Sequence, residues 1–431
     1  MKLIFLLAGC MLTSSVAVSQ NFVANYDESK VPVYELPDPL KTEAGKAVTD
    51  EKTWNKIRRP ETLELFEKHV FGRSPQPVSI RHQLVSSEEN AVGGKALRRE
   101  IDITIGDSPG AVTMRMLIYT PKTSAPAPAF LGLNFGGNHT VDPDPEISIP
   151  SSWVRQSKDG GTDGNRATEA GRGTATSSWP VELIIDRGYA LATIYYGDID
   201  PDFHDEFKNG IHASFAAWQS EIPEQERWGS IAGWAYGLSR ALDYLQQDQH
   251  VDGERVAVIG HSRLGKTSLW AGATDQRFRL VISNDSGCGG AAISRRAFGE
   301  TVARINSSFP HWFCGRHKEY DRNESALPVD HHQLLALIAP RPLYVASASE
   351  DQWADPKGEF LSTVHADPVY RLLGTDGLGA DGPPQEMPQP DQPIKSGTIG
   401  YHVRTGPHAI TAYDWSQYLD FADRHLRKSG K

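Results

Sequence analysis

Apolar residues gather in short, nearly unbroken runs at 129–134, 189–195, 255–259, 280–283, 342–348 and 400–404. Each run is too short for a buried helix and rich in strand-favouring residues, so each predicts a strand covered on both faces. Between the runs, apolar positions recur with helical spacing, most clearly over 228–246, 267–273 and 414–426. Apolar strands alternating with helices predict a mostly parallel sheet with helices on both faces, a three-layer α/β sandwich. Ahead of them, 96–105 and 112–119 alternate apolar and polar residues, the pattern of a half-buried β-meander. Residues 20–95 are mixed and polar, with a helical stretch near 61–70.

The chain has 431 residues, enough for two or three average domains, yet no linker divides it. Residues 20–431 therefore read as one catalytic domain carrying loop insertions near 142–178, rich in Gly, Ser, Thr and Asp, and near 374–397, rich in Pro and Gly. Residues 1–19 combine a lysine, an apolar run and a small-x-small exit, the pattern of a signal peptide too short to span a bilayer. Leu7-Ala-Gly-Cys10 also resembles a lipoprotein box, the less favoured route; either route exports the protein to the periplasm or the medium. A net charge of -10 argues against nucleic acid as a partner. Beyond Cys10, Cys288 and Cys314 form either a disulfide or two buried thiols, and no second cluster accompanies them to hold a metal.

The strand at 255–259 runs into Gly260-His261-Ser262-Arg263-Leu264-Gly265-Lys266. A strand entering a glycine-flanked serine, with a helical pattern after it, is the layout of a nucleophile elbow, here G-x-S-x-x-G in place of G-x-S-x-G. A serine nucleophile needs a base, and the base an orienting acid, in the α/β-hydrolase order Ser, Asp or Glu, His, so the expected fold is an α/β-hydrolase fold. His408 follows the last strand and fits the base; His402 and His425 lie inside a strand and a helix and fit less well. Three acids compete: Asp351 after the penultimate strand is favoured, then Asp285 after the strand before it, then Glu350; two may share the role. The Arg263 backbone N–H and guanidinium are candidate oxyanion donors, and the glycine-rich loop Asn134–His139 either adds a second donor or shapes the pocket floor. Lys266, one turn beyond Ser262, is placed to meet polar or anionic substrate groups.

Gly260–Lys266 resembles the G-[CH]-S-R-x-G-K signature of glucuronoyl esterases, carbohydrate esterase family 15. The stretches 234–243, 285–292 with Arg295-Arg296, His311-Trp-Phe-Cys314 and Trp353-Ala-Asp-Pro356 are also similar to bacterial members, so the likeness covers about residues 90–425. It implies an enzyme, free of metal and cofactor, that cleaves the ester between (4-O-methyl)glucuronic acid on glucuronoxylan and a lignin alcohol; a monomer is the expectation, which the sequence itself leaves open. By matching position, Ser262 would be the nucleophile, His408 the base and Arg263 the oxyanion donor. Lys266, Glu300 and Trp353 would contact the sugar's hydroxyls or face. The family's acid is often a glutamate at the position of Asp285; the shorter aspartate here is why Asp351 ranks first. Both insertions fall where bacterial members elaborate the pocket rim. Two alternatives remain: a carbohydrate deacetylase of the acetyl xylan esterase type on the same fold, and an inactive hydrolase fold kept as a glycan-binding module.

Overall fold

Nine strands form one sheet in a computed structural model that describes residues 22–427, except Pro109 and Asp159. Residues 1–19, expected to be a signal peptide and including Cys10, lie outside the described residues. The strands are β1 (Ile80–Ala91), β2 (Ala96–Ile105), β3 (Thr113–Pro121), β4 (Ala127–Asn134) and β5 (Ala190–Tyr195). They continue with β6 (Val251–His261), β7 (Leu280–Asn284), β8 (Leu343–Ala348) and β9 (Ile399–Arg404). The spatial order is β1-β2-β3-β5-β4-β6-β7-β8-β9. The pairings β1/β2, β2/β3 and β3/β5 are antiparallel, and those from β5/β4 to β8/β9 are parallel.

Side chains of the parallel strands alternate between two cores, as a two-residue period requires. Leu131, Val258, Val281, Val345 and Tyr401 face one core, where α1 (Arg59–Phe66), α3 (Ser230–Leu245), α4 (Arg263–Thr274) and α5 (Pro356–Leu372) contribute Phe66, Trp234, Trp270 and Phe360. Phe130, Leu191, Ile259, Ile282 and Tyr344 face the other, closed by α2 (Val181–Asp186) and α6 (Ala412–His425) through Ile184, Trp415 and Tyr418. Among the described residues no helix is long and apolar enough to cross a membrane. Cys288 and Cys314 are unbonded, buried thiols.

Two elements depart from the sequence pattern. β1 falls within a segment that had read as mixed and polar, because it is an edge strand with both faces largely exposed, so no apolar alternation marks it. Its Arg81, Glu88 and Glu89 discourage pairing with another sheet edge. The helix α5 went unmarked because Pro368 lies inside it and Gly358, Ser362 and Thr363 occupy part of its buried face.

Both insertions are tied down mainly by hydrogen bonds, the first holding among its described residues only a two-stranded ribbon, Thr162–Asp163 with Arg166–Ala167, and one helical turn. In the first, Gly173 and Ala175 donate backbone N–H groups to the carbonyls of His139 and Thr140, and Arg172 donates to those of Asp144 and Ile147. In the second, Asp391 accepts from the Thr405 hydroxyl and backbone N–H, bracing the loop that carries His408.

Between β6 and α4 the chain turns at Ser262 with φ 58° and ψ -128°, a region that L-residues rarely adopt. A Cβ on Gly260 would overlap the Leu264 carbonyl, so only glycine fits there. A Cβ on Gly265 would come within 3.1 Å of the Gly260 carbonyl and the Ser283 hydroxyl, which explains the second glycine. Backbone strain of this kind costs about 1–3 kcal/mol. Ser262→Gly should therefore unfold at a higher temperature than Ser262→Ala, by about 1 °C or more after the entropy penalty of glycine. Calorimetry of the two inactive variants checks this, and an equal or lower midpoint for the glycine variant would mean the turn stores no strain.

Candidate active site

Each candidate group sits just beyond the carboxyl end of a strand, the edge where open parallel sheets place their ligand sites. Ser262 follows β6, Asp285 follows β7, Asp351 follows β8 and His408 follows β9. His408 is half exposed, and its Nδ1 lies 2.6 Å from Oδ2 of the buried Asp351. A nitrogen–oxygen contact this short is a charge-assisted hydrogen bond, which fixes the ring and leaves Nε2 as the free nitrogen. The Ser262 hydroxyl has no hydrogen-bond partner among the described residues; such catalytic bonds are commonly long in a resting site and close around substrate.

Asp285 stands next to this pair without joining it. Its Oδ2 accepts the Ala409 backbone N–H at 3.4 Å, and its Oδ1 is buried without a partner. Burial, with the charges of Glu359 and Asp351, pushes its carboxyl well above the ordinary range. Glu359 is buried too, accepts from Ser286, Gly287 and Ser347, and is pushed up to about 7 by burial. Glu350 is exposed and donates its backbone N–H to the Gly406 carbonyl, away from His408. Oxygens of Asp285 and Asp351 and a nitrogen of His408 lie within 4.8 Å of one another. The 2.6 Å contact is a hydrogen-bond geometry, so this group is organised to orient an imidazole.

The cations flank Ser262 as the sequence suggests, each held by partners. Arg263 Nη1 lies 2.5 Å from Oδ2 of Asp202, and its guanidinium sits over the rings of Trp312 at 5.0 Å, Phe135 at 5.5 Å and Phe309 at 5.7 Å. Lys266 is buried and donates to the Ser286 carbonyl, with its Nζ 5.9 Å from the Trp312 ring. Burial lowers its pKa, and the charge of Glu300 opposes that shift. Glu300 is partly buried, and burial raises its carboxyl against the pull of Lys266. Its backbone N–H donates to the Trp353 carbonyl, and the Trp353 ring is exposed, edge-on to Phe22. The Asn134–His139 loop is braced internally, with the Gly137 N–H donating to Asn134 Oδ1, and presents Phe135 to the site.

A cavity of about 410 Å³ opens beside Ser262, between the sheet edge and the first insertion. Phe135, Val154, Ala175, Trp179 and Ile410 make most of its wall apolar, and His261 and Arg263 close it toward the serine. Lys266, Glu300 and Trp353 do not line it, so the site has a polar flank and an apolar one.

Three neighbours escaped the sequence reading. His261 packs on His408 with ring centroids 4.5 Å apart, bonds Asn284, and is kept neutral by burial, which pushes it down to about 3. Trp312 appeared only within a matching stretch, with no hint that it separates Arg263 from Lys266. Asp202 gave one faint signal, a run of aspartates directly after the apolar strand β5. His402 is a core residue bonded to Asp414 and Tyr344, and the partly buried His425 packs on Phe421.

A sequence profile described as "Glucuronyl esterase, fungi" matches residues 213–374. The chain is 52% identical to a solved structure described as a promiscuous CE15 esterase from the marine bacterial metagenome; the match covers 94% of this chain and 100% of that one, with a TM-score of 0.87. A glucuronoyl esterase from Solibacter usitatus is 47% identical over 93% of this chain and 100% of that one, with a TM-score of 0.86. The 4-O-methyl-glucuronoyl methylesterase 1 of Wolfiporia cocos is 34% identical over 366 residues, 80% of this chain and 74% of that one. With its elbow, its strand-edge histidine and full-length similarity to these proteins, the chain belongs to carbohydrate esterase family 15 and has the α/β-hydrolase fold.

Proposed function

We propose that the protein is an exported glucuronoyl esterase that cleaves the ester between (4-O-methyl)glucuronic acid of glucuronoxylan and a lignin alcohol. The observation that carries the reading is the Asp351–His408 hydrogen bond beside a serine held on a strained elbow and flanked by two cations. Ser262 Oγ attacks the ester carbonyl and gives its proton to His408 Nε2. Asp351 holds the ring and balances the imidazolium. The tetrahedral oxygen takes its negative charge against the Arg263 guanidinium and the unpaired first-turn N–H of α4. Collapse expels the alcohol, which recovers the proton from His408, and leaves Ser262 acylated by the glucuronoyl group. Water activated by His408 then releases the acid.

The two flanks suit the two halves of such a substrate. Lys266 and Glu300 match sugar hydroxyls, and the exposed ring of Trp353 offers a face for the pyranose. The apolar cavity has the shape and chemistry for an aromatic alcohol. Export is supported by the pattern at 1–19.

Hydrolysis of benzyl glucuronate, methyl galacturonate and an aryl acetate, with Ser262→Ala as control, tests the assignment. Strong glucuronate turnover lost in the variant is the expected result; acetate turnover alone would leave a deacetylase. Filling the cavity with Ala175→Phe should raise KM for the benzyl ester about tenfold while leaving the methyl ester within about twofold, since the methyl group needs no pocket. Equal effects on both esters would place the alcohol elsewhere.

Asp351→Asn should lower kcat by about 10³- to 10⁴-fold, whereas Asp285→Asn should cost about tenfold or less. Similar losses in both, or a collapse only in the double variant, would mean a shared role. Asp285 also makes a stability prediction. Its raised pKa means the folded state holds a proton that the unfolded state has released above about pH 4, so its contribution to stability falls as pH rises. Urea titrations at pH 5 and pH 8 should show a smaller loss of stability with pH in Asp285→Asn than in the parent.

A further inference from the structure

Asp202 is the most heavily bonded carboxylate near the site, and nothing in the reaction itself uses it. Its side chain is fully buried just after the short helix Tyr196–Ile199 that follows β5. Oδ2 accepts from Arg263 Nη1 at 2.5 Å, Arg155 Nη2 at 2.9 Å and the Tyr196 hydroxyl at 3.0 Å. Oδ1 accepts from Trp312 Nε1 at 2.8 Å and faces His311 Nε2 at 2.9 Å. Burial alone would raise this carboxyl, yet the bond from His311 and the Arg263 charge hold it well below the ordinary range, so it stays an anion.

We propose that Asp202 is a positioning residue that fixes the place of the Arg263 guanidinium and, with Arg155 of the first insertion as a second cation on the carboxylate, the net charge of the cluster. The proposal rests on the reading of Arg263 as an oxyanion donor. An arginine beside a serine nucleophile can reach many rotamers, and a donor stabilises an oxyanion best when it is already aimed. Asp202 takes hold of one end of the guanidinium while Phe135, Phe309 and Trp312 surround its plane. Trp312 serves twice, donating to the carboxylate and presenting its ring to Arg263.

Anchoring has an electrostatic consequence. A bare Asp202–Arg263 pair is neutral, and a neutral pair offers little field to a developing oxyanion. Arg155 comes from the insertion at 142–178, is half exposed and reaches both the carboxylate and the backbone carbonyl of Asp202. Two guanidinium groups on one carboxylate leave a net single positive charge beside Ser262. The insertion would thus complete the charge of the oxyanion site as well as wall the cavity.

The test is a double-mutant cycle read as kcat and KM on a methyl glucuronate ester. Arg263→Met should lower kcat by about 10²- to 10³-fold. Asp202→Asn should lower kcat by about tenfold or more with KM within about threefold, and adding it to Arg263→Met should change kcat by less than about twofold. Arg155→Met should fold like the parent by circular dichroism and lower kcat severalfold, again without effect in the Arg263→Met background. Additive losses in either cycle would make Asp202 or Arg155 merely structural and overturn the proposal. If Asp202→Asn does not fold, the Arg155 cycle decides alone. If Arg263→Met itself leaves kcat unchanged while Ser262→Ala abolishes turnover, the assignment of Arg263 fails, and this inference with it, but the esterase reading stands.

Discussion

Parallel strands that cross over through helices all end on the same edge, and that constraint builds the site. Ser262, Asp285, Asp351 and His408 come from four consecutive positions in the sheet, β6, β7, β8 and β9. Their relative placement is set by strand spacing and by the alternation of side chains between two cores, both fixed by packing far below the reacting atoms. Large, fully buried rings such as Trp270 of α4 and Trp415 of α6 pack the helices into the two cores against the sheet. Loops add reach and charge, and the strand ends fix distance.

Electrostatics at that edge run against the protein's overall acidity. A chain of net charge -10 brings Arg263, Lys266 and Arg155 close to one serine, and each cation is held by an anion, a carbonyl or an aromatic face. The carboxylates divide by what surrounds them. Asp202 is ringed by donors and stays charged, whereas Asp285 lies among Glu359 and Asp351 and is driven toward its neutral form. Similar side chains in similar burial thus differ in charge because their neighbours differ.

The parallel strands were legible because continuous apolar runs leave little else for the chain to do, and the elbow because Gly260 has no substitute under the Leu264 carbonyl. Asp351 was favoured on fold order and proves to be the carboxylate bonded to His408, while Glu350, one residue away, points to solvent. β1 was not legible because an exposed edge strand needs no apolar face. Asp202 and Trp312 were hidden for a different reason. Their meaning lies in contacts spanning 61 residues from Asp202 to Arg263 and 110 residues from Asp202 to Trp312, and no local spacing encodes such pairs.

The choice between β7 and β8 as the source of the acid follows from the same logic. Either strand end delivers a carboxylate to the neighbourhood of the His408 ring, as the 4.8 Å grouping of Asp285, Asp351 and His408 makes plain. An acid can orient an imidazole and balance its charge only while it is itself ionised and within bonding reach. Asp285 is one methylene shorter than a glutamate, spends Oδ2 on the Ala409 backbone and has Glu359, Asp351 and Asp414 as acidic neighbours against the charge of Arg404. Asp351 sits at the mouth of β8, where its Oδ2 meets Nδ1 directly at 2.6 Å. With one carboxylate bonded to the ring, a second charge at Asp285 would only repel it, so the neutral form of Asp285 favours the pairing that the structure displays.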